Sequence, residues 1–243
     1  MSLPFDDRAD AGRQLAARLL HLRSRKPLVL AIPRGGVPVG FEVASALGAP
    51  LDLVLVRKIG APEQPELAVG AVVDGEHVET VLNDEIVEGL AISQDYIREE
   101  TTRQLAEIER RRKAYLGDRP RPLLSGQTAI VVDDGIATGA TMRAALRAIR
   151  RGAPERLVLA VPVAPADTIA RLRADVDELV CLEAPMLFFA IGQFYRDFAQ
   201  LTDAQVTDQL RRRIAPLLPE HGATDLAKGG PIAGAGDQPK NRV

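Results

Sequence analysis

Hydrophobic positions along this chain fall into two alternating kinds of run. Short, mostly apolar stretches, LVLAI at 28–32, LDLVLV at 51–56, TAIVV at 128–132, LVLAVPVA at 157–164 and ELVCLE at 178–183, read as buried strands. Between them the apolar residues take helical spacing. Residues 7–23 set Ala11, Leu15, Leu19 and Leu22 on one face, and further helices are expected from about Val37 to Leu47, over Thr141–Arg151, over 166–174 and near 203–213. Strand, short loop, helix, strand is the pattern of a parallel α/β sheet.

Two sections interrupt that rhythm. From Gly60 to Gly75 glycine and proline predict a long loop, and the runs AVGAVV and HVETVL predict two short strands around an Asp74-Gly75 turn. Residues 84–116 predict a long helical insert with a narrow apolar stripe (Ile97, Leu105, Ile108, Tyr115). Glu99 and Arg103, Glu107 and Arg111, and Glu109 and Lys113 are spaced to pair along its surface, and Arg110–Lys113 reads as a solvated helix face. The α/β pattern resumes after the proline-rich break at 119–122. The expected fold class is α/β: a doubly wound, mainly parallel sheet with a helical and loop insert and a small C-terminal hood. One domain is expected over 1–220, with 57–122 as flexible loop, hairpin and insert and 183–200 as the hood. The Gly-, Ala- and Pro-rich tail 221–243 is expected to be disordered.

Composition narrows the function. With 243 residues, 46% of them hydrophobic, the chain can bury one substantial core or two small ones. A formal net charge of −2 supplies no basic field to draw it to nucleic acid or anionic lipid. Cys181 is the only cysteine, which rules out an intramolecular disulfide and a thiolate metal cage and suits a reducing cytoplasm. No apolar run approaches the roughly 20 residues that span a bilayer, and MSLPFDDRADAGRQLAARL lacks the apolar centre of a signal peptide. A cytoplasmic location is therefore expected. His21, His77 and His221 show no ligand or relay spacing.

One segment carries chemistry. In TAIVVDDGIATGAT (128–141) an apolar strand ends in two adjacent carboxylates, Asp133 and Asp134, which can accept hydrogen bonds from vicinal sugar hydroxyls. The loop Ala137, Thr138, Gly139, Ala140, Thr141 then opens a helix, where free N–H groups and the helix dipole favour a phosphate. Diol-binding acids beside a phosphate cradle describe a site for a ribose 5-phosphate. A capped turn, or an acidic pair binding Mg²⁺ in another α/β fold, would not account for the small-residue loop three residues on.

This segment resembles the motif by which type I phosphoribosyltransferases bind 5-phosphoribosyl-1-pyrophosphate (PRPP). The wider pattern, FDDRADAG, PRGGVPVG and VRKIGAPEQPELAVGAV, is similar to a bacterial branch of that family whose acceptor is undefined. The resemblance implies that Asp133 and Asp134 hold the ribose and that Ala137, Thr138, Gly139, Ala140 and Thr141 hold the 5-phosphate. It implies that Arg34, Gly35 and Gly36 of PRGG contact the diphosphate. Lys58, with Arg57 second, would neutralise that group at the end of the second strand, and the following loop would fold over the site. Mg²⁺ would come with PRPP and need no direct protein ligand. Asp133, Asp134, Arg34 and Lys58 are thus the candidate catalytic residues, and Glu66 a candidate for proton exchange.

The aromatics cluster in PMLFFAIGQFYRDF (185–198), where purine-using members carry a hood. Phe188, Phe189, Phe194 and Tyr195 are candidates to bind the acceptor, although core or dimer packing would also place aromatics there. Hypoxanthine/guanine members have an aspartate where this chain has Ala137, so a 6-oxopurine acceptor loses support. The resemblance implies transfer of phosphoribosyl from Mg-PRPP to a nucleobase-like acceptor with release of pyrophosphate, in a homodimer without nucleic acid or membrane partners. The rival readings are a PRPP-sensing regulator and a nucleotide hydrolase or phosphorylase using the same site.

Overall fold

The structure, a computed structural model, describes residues 5–74 and 79–214, without the side chains of Glu66, Arg213 and Ile214. Helix α1 (Arg8–Leu19) begins where the Asp7 carboxylate accepts a hydrogen bond from the Asp10 amide at 2.7 Å, satisfying a free donor of the first turn. After 3-10 turns at Leu20–Arg25 come strand β1 (Leu28–Ala31), helix α2 (Gly36–Leu47) and strand β2 (Leu51–Leu53). Strands β3 (Val56–Ala61), β4 (Gln64–Val73) and β5 (Glu79–Leu82) lead to helices α3 (Asp84–Gly89) and α4 (Gln94–Leu116). The chain continues through β6 (Thr128–Val132), α5 (Ala140–Arg151), β7 (Arg156–Val163), α6 (Ala166–Leu172), β8 (Glu178–Glu183) and α7 (Asp203–Ile214).

Strands β2-β1-β6-β7-β8 form a parallel sheet in that order. Because side chains alternate across a strand, each strand feeds two cores. Val29, Ala31, Ile130, Val132, Val158 and Ala160 pack with α1, α2, α4 and α7. Leu28, Leu30, Ala129, Val131, Leu157 and Leu159 pack with Met142, Ala145, Leu146 and Ile149 of α5. Both faces are covered, and the doubly wound expectation holds.

The region 51–75 departs from its expectation. LDLVLV is not one strand: β2 ends at Leu53, and Val56 opens a separate antiparallel sheet, β3-β4-β5. Most of the expected 60–75 loop is strand. Its glycines and prolines fit a bulged hairpin: the register shifts around Gly60, where a Cβ would meet the Pro65 carbonyl oxygen at 2.6 Å, and the chain reverses at Pro62-Glu63. Gly75 and the tail 221–243 lie outside the described residues, as do His77 and His221.

The insert is two helices, broken at Leu90–Ser93, where Ser93 caps α4 by accepting from the Tyr96 amide. Ile97, Ile108 and Tyr115 are buried as the stripe predicts. Of the expected surface pairs, Glu107 meets Arg111 at 2.7 Å, while Arg103 reaches Glu100 and Glu109 engages Arg121.

Arg112 corrects the reading of 110–113 as a wholly solvated face. It is 5% exposed, donates to Asp74 at 3.1 Å, and lies 3.8 Å from fully buried Asp52. Arg119 and Arg121 complete this group from the segment after α4, at 3.8 Å from Asp52 and 2.6 Å from Asp74. Burial raises the Asp52 pKa, against the pull of its Leu53 amide hydrogen bond and the two arginines. The network fastens α4 and the 119–121 crossing to both sheets. Replacing Arg112 with Met would leave Asp52 with Arg119 and Asp74 with Arg121 as their remaining arginines, at a cost of about 2 kcal/mol for the lost charged hydrogen bond. Urea unfolding should show a clearly lowered midpoint; an unchanged midpoint would mean that the network does not hold the fold.

Candidate functional site

Neighbouring strands β1 and β6 send their chains in opposite directions, β1 through α2 to β2 and β6 through α5 to β7. Such a switch point opens a crevice at the carboxyl ends of the strands, where open α/β sheets bind ligands. The loop 32–36 and the loop 133–139 meet there. The Ile32 amide donates to the Val132 carbonyl at 2.9 Å, and the Pro33–Arg34 peptide is cis. Gly35 and Gly36 are required by this approach. A Cβ on Gly35 would overlap the Asp134 carboxylate, and one on Gly36 would stand 2.8 Å from the Val132 carbonyl oxygen.

Asp134 is turned inward and 7% exposed. Arg8, at the start of α1, donates from Nε to Asp134 Oδ2 at 2.7 Å, and the Tyr195 hydroxyl donates to the Asp134 carbonyl at 2.5 Å. Asp133 is half-buried, and its Oδ1 accepts from the Asp134 amide at 2.8 Å. Burial and then the neighbouring Asp134 carboxylate push the Asp133 pKa well above the usual carboxylate range. Burial raises Asp134 too, while its hydrogen bond and charge contact with Arg8 pull it back. Of the two, Asp133 is the more exposed carboxylate.

The small-residue loop leads into twelve-residue α5 through Gly139, whose φ of 82° lies in the left-handed region. The Thr168 hydroxyl fixes the turn by donating to the Ala137 carbonyl at 2.9 Å. Thr138, Gly139, Ala140 and Thr141 then line a cleft of about 740 Å³, whose opposite wall comes from β3, β4, β5 and α3. Lys58 stands on that wall. It belongs to the antiparallel sheet, not to the end of the second parallel strand, and so the structure brings it to the same cleft as the loop.

Arg143, Arg147 and Arg171 add cationic lining, and Asp84 and Glu85 supply the acidic part. Arg57 instead donates to Gln104 at 2.9 Å. Arg34 extends toward Asp203 of α7, at 3.7 Å, and Tyr115 donates to the same carboxylate at 2.6 Å. The Glu66 side chain lies outside the described residues.

The hood abuts the motif through Ile191, whose Cγ2 would be 2.6 Å from a Cβ on Gly135. Phe188 and Phe194 stack at 5.7 Å between centroids, and Phe189 is 87% exposed. Tyr195 does not offer a stacking face: it is 4% exposed, packed between Phe5 and Phe198, and bonded to Asp134. Its ring supports the acid pair. The sequence does not single out Arg8, because a lone arginine at the start of an amphipathic helix looks like any solvated charge. Arg143, Arg147 and Arg171 were hidden for the same reason. Among the described residues no group of three or more His, Cys, Asp or Glu side chains gathers to hold a metal, and no helix is long and apolar enough to cross a membrane.

Residues 6–199 match the family model described as phosphoribosyl transferase domain. Two Mycobacterium tuberculosis proteins, each named "putative phosphoribosyl transferase", are 47% identical to this chain over 235 residues, covering 97% of it and 51% of each of them. The chain thus spans about half the length of these curated relatives. The crystal structure of TT1426 from Thermus thermophilus is 43% identical with a TM-score of 0.75, covering 86% of this chain and 98% of that one.

The electrostatics of the acid pair make a stability prediction. The raised Asp133 pKa means that its proton favours the folded state. That contribution is full below the unfolded carboxylate pKa and is lost as pH rises through the folded value. Asp133→Asn removes the ionised form and should raise the melting temperature at about pH 8. The advantage should shrink toward about pH 4, where wild-type Asp133 carries its proton. Equal melting temperatures at both pH values would contradict this account.

Proposed function

The chain belongs to the phosphoribosyl transferase family, and from that premise we propose that it transfers 5-phosphoribosyl from Mg-PRPP to a nucleobase-like acceptor, releasing pyrophosphate. The observation that carries the proposal is the site at the switch point. A carboxylate pair and a small-residue helix entrance follow one strand without a break, and Lys58 lines the cleft into which that entrance opens.

The residues divide the work as follows. Thr138–Thr141 and the α5 N-terminus cradle the 5-phosphate with backbone N–H groups and hydroxyls. Asp133 accepts from the ribose hydroxyls, with Asp134 behind it fixing the turn. As the bond from C1 to the diphosphate oxygen breaks, positive charge grows on the ribose and negative charge on the leaving group. Asp133 lies on the side that gains positive charge. Lys58 and the Gly35–Gly36 backbone serve the side that gains negative charge, and Arg34 would join them by turning away from Asp203. The acceptor nitrogen forms the new bond to C1 and gives up its proton to solvent.

A hard divalent cation takes oxygen ligands. The phosphate oxygens of PRPP supply such ligands, so the chain itself need offer no direct one. That donor set fits Mg²⁺ brought in on phosphate oxygens, where the ion would offset diphosphate charge. Phe188 and Phe189 are the hood side chains proposed for the acceptor. At position 137 an alanine stands where hypoxanthine/guanine members carry a carboxylate, which disfavours a 6-oxopurine.

Incubating the full chain with Mg-PRPP and a panel of nucleobases, while following pyrophosphate, tests the reaction. Release that depends on one base is expected. Binding without turnover would overturn transfer, and release without any base would point to hydrolysis. The double substitution Asp133→Asn, Asp134→Asn should weaken PRPP binding by about a hundredfold or more in calorimetry, equivalent to roughly 2.7 kcal/mol. Undiminished affinity would refute the site.

A further inference from the structure

Arg8 makes contacts that exceed what a helix needs at its first residue. Nε donates to Asp134 Oδ2 at 2.7 Å, one terminal nitrogen donates to the Ala199 carbonyl at 2.9 Å, and the guanidinium carbon lies 3.8 Å from the Phe198 ring centroid. Arg8 and Asp134 side chains are each only 11% exposed. Three separate segments therefore converge on one guanidinium: α1, the loop after β6 and the end of the hood. The backbone ties the same segments. The Phe5 amide donates to the Phe194 carbonyl at 3.3 Å, Arg196 to Phe5 at 3.0 Å, and Asp197 to Asp6 at 2.9 Å. Tyr195, packed on Phe5 and Phe198, closes the circuit on the Asp134 carbonyl.

We propose that Arg8 is a positioning residue for phosphoribosyl transfer: its fork holds Asp134 against the hood, so that Asp133 meets the donor sugar while the hood stays in register with the acceptor. This rests on the PRPP reading of the site. Two adjacent carboxylates out of water repel, and without a cation one of them keeps its proton. A sugar hydroxyl, as an O–H donor, is held best by a carboxylate that is ionised. Lysine cannot replace the fork, because it lacks the planar group that at once bonds a carboxylate, bonds a carbonyl and lies on a ring. The charged and titratable groups facing the pair are Arg8 from α1 and Tyr195 from the hood, while Arg34 on the adjoining loop extends to Asp203.

The test compares Arg8→Met, Arg8→Lys and Asp133→Asn in the full chain, below the melting temperature of each. Arg8→Met should raise the PRPP dissociation constant about tenfold or more and shift the acid limb of PRPP binding to higher pH. Arg8→Lys should keep that limb near wild type, because the charge remains, yet lower kcat severalfold with a smaller change in KM. If Arg8→Met does not fold, Arg8→Lys decides alone, and wild-type kcat in it would sink the proposal. Wild-type affinity and pH dependence in folded Arg8→Met would reduce Arg8 to a structural clamp. Unchanged PRPP affinity in Asp133→Asn would instead refute the site reading itself.

Discussion

Two carboxylates stand side by side at the end of β6, one half-buried and one buried, and much of the nearby chain answers that electrostatic demand. Arg8 supplies the counter-charge from α1, Tyr195 fixes the Asp134 carbonyl, and the Asp134 amide donates to Asp133. Gly35 must lack a side chain because the Asp134 carboxylate occupies that space. A sheet and two helices would fold without such an arrangement. The raised Asp133 pKa marks it as one held against a cost, which is where function is expected to override stability.

The same demand explains the placement of the first helix. Phe5 and Asp6 pair with the hood backbone, so α1 and the 183–200 segment, distant in sequence, act together over one crevice. The ion pair is partly sheltered, and a single hydrogen bond to a charged group contributes about 1.5–3 kcal/mol. That is enough to matter for a loop whose geometry has to be right to a fraction of an ångström.

How much of this was legible in the sequence depended on whether a feature was local. The parallel strands announced themselves as unbroken apolar runs because both their faces are buried, and the 128–141 segment was readable because its strand, acids and loop are contiguous. The antiparallel sheet was not. Gly60, Pro62 and Pro65 carry the composition of a loop, and only strand pairing shows that they form a bulged hairpin. Lys58 was assigned the end of the wrong strand for that reason, although the cleft does include it. Arg8 and Arg112 are single charges on amphipathic helices, indistinguishable in one dimension from solvated neighbours. Their partners lie 126 and 38 residues away, and no local pattern encodes such a pairing.

The proposed site is unequal in its two halves, and that inequality bears on the proposed acceptor. Around the proposed donor site the loop, the acid pair and Tyr195 are fixed by hydrogen bonds to buried groups. On the hood, proposed for the acceptor, Met186, Leu187 and Phe189 are largely exposed, and position 137 carries only a methyl group, its carbonyl accepting from Thr168. In the proposed reaction no carboxylate at that position would collect the proton leaving the acceptor nitrogen. An acceptor that loses its proton readily has less need of one, whereas a weakly acidic base would require a proton acceptor from another part of the chain. In the proposed reaction the alanine at 137 would therefore shift the burden of acid–base chemistry from the protein to the acceptor, and would favour one whose reacting nitrogen is acidic enough to carry it.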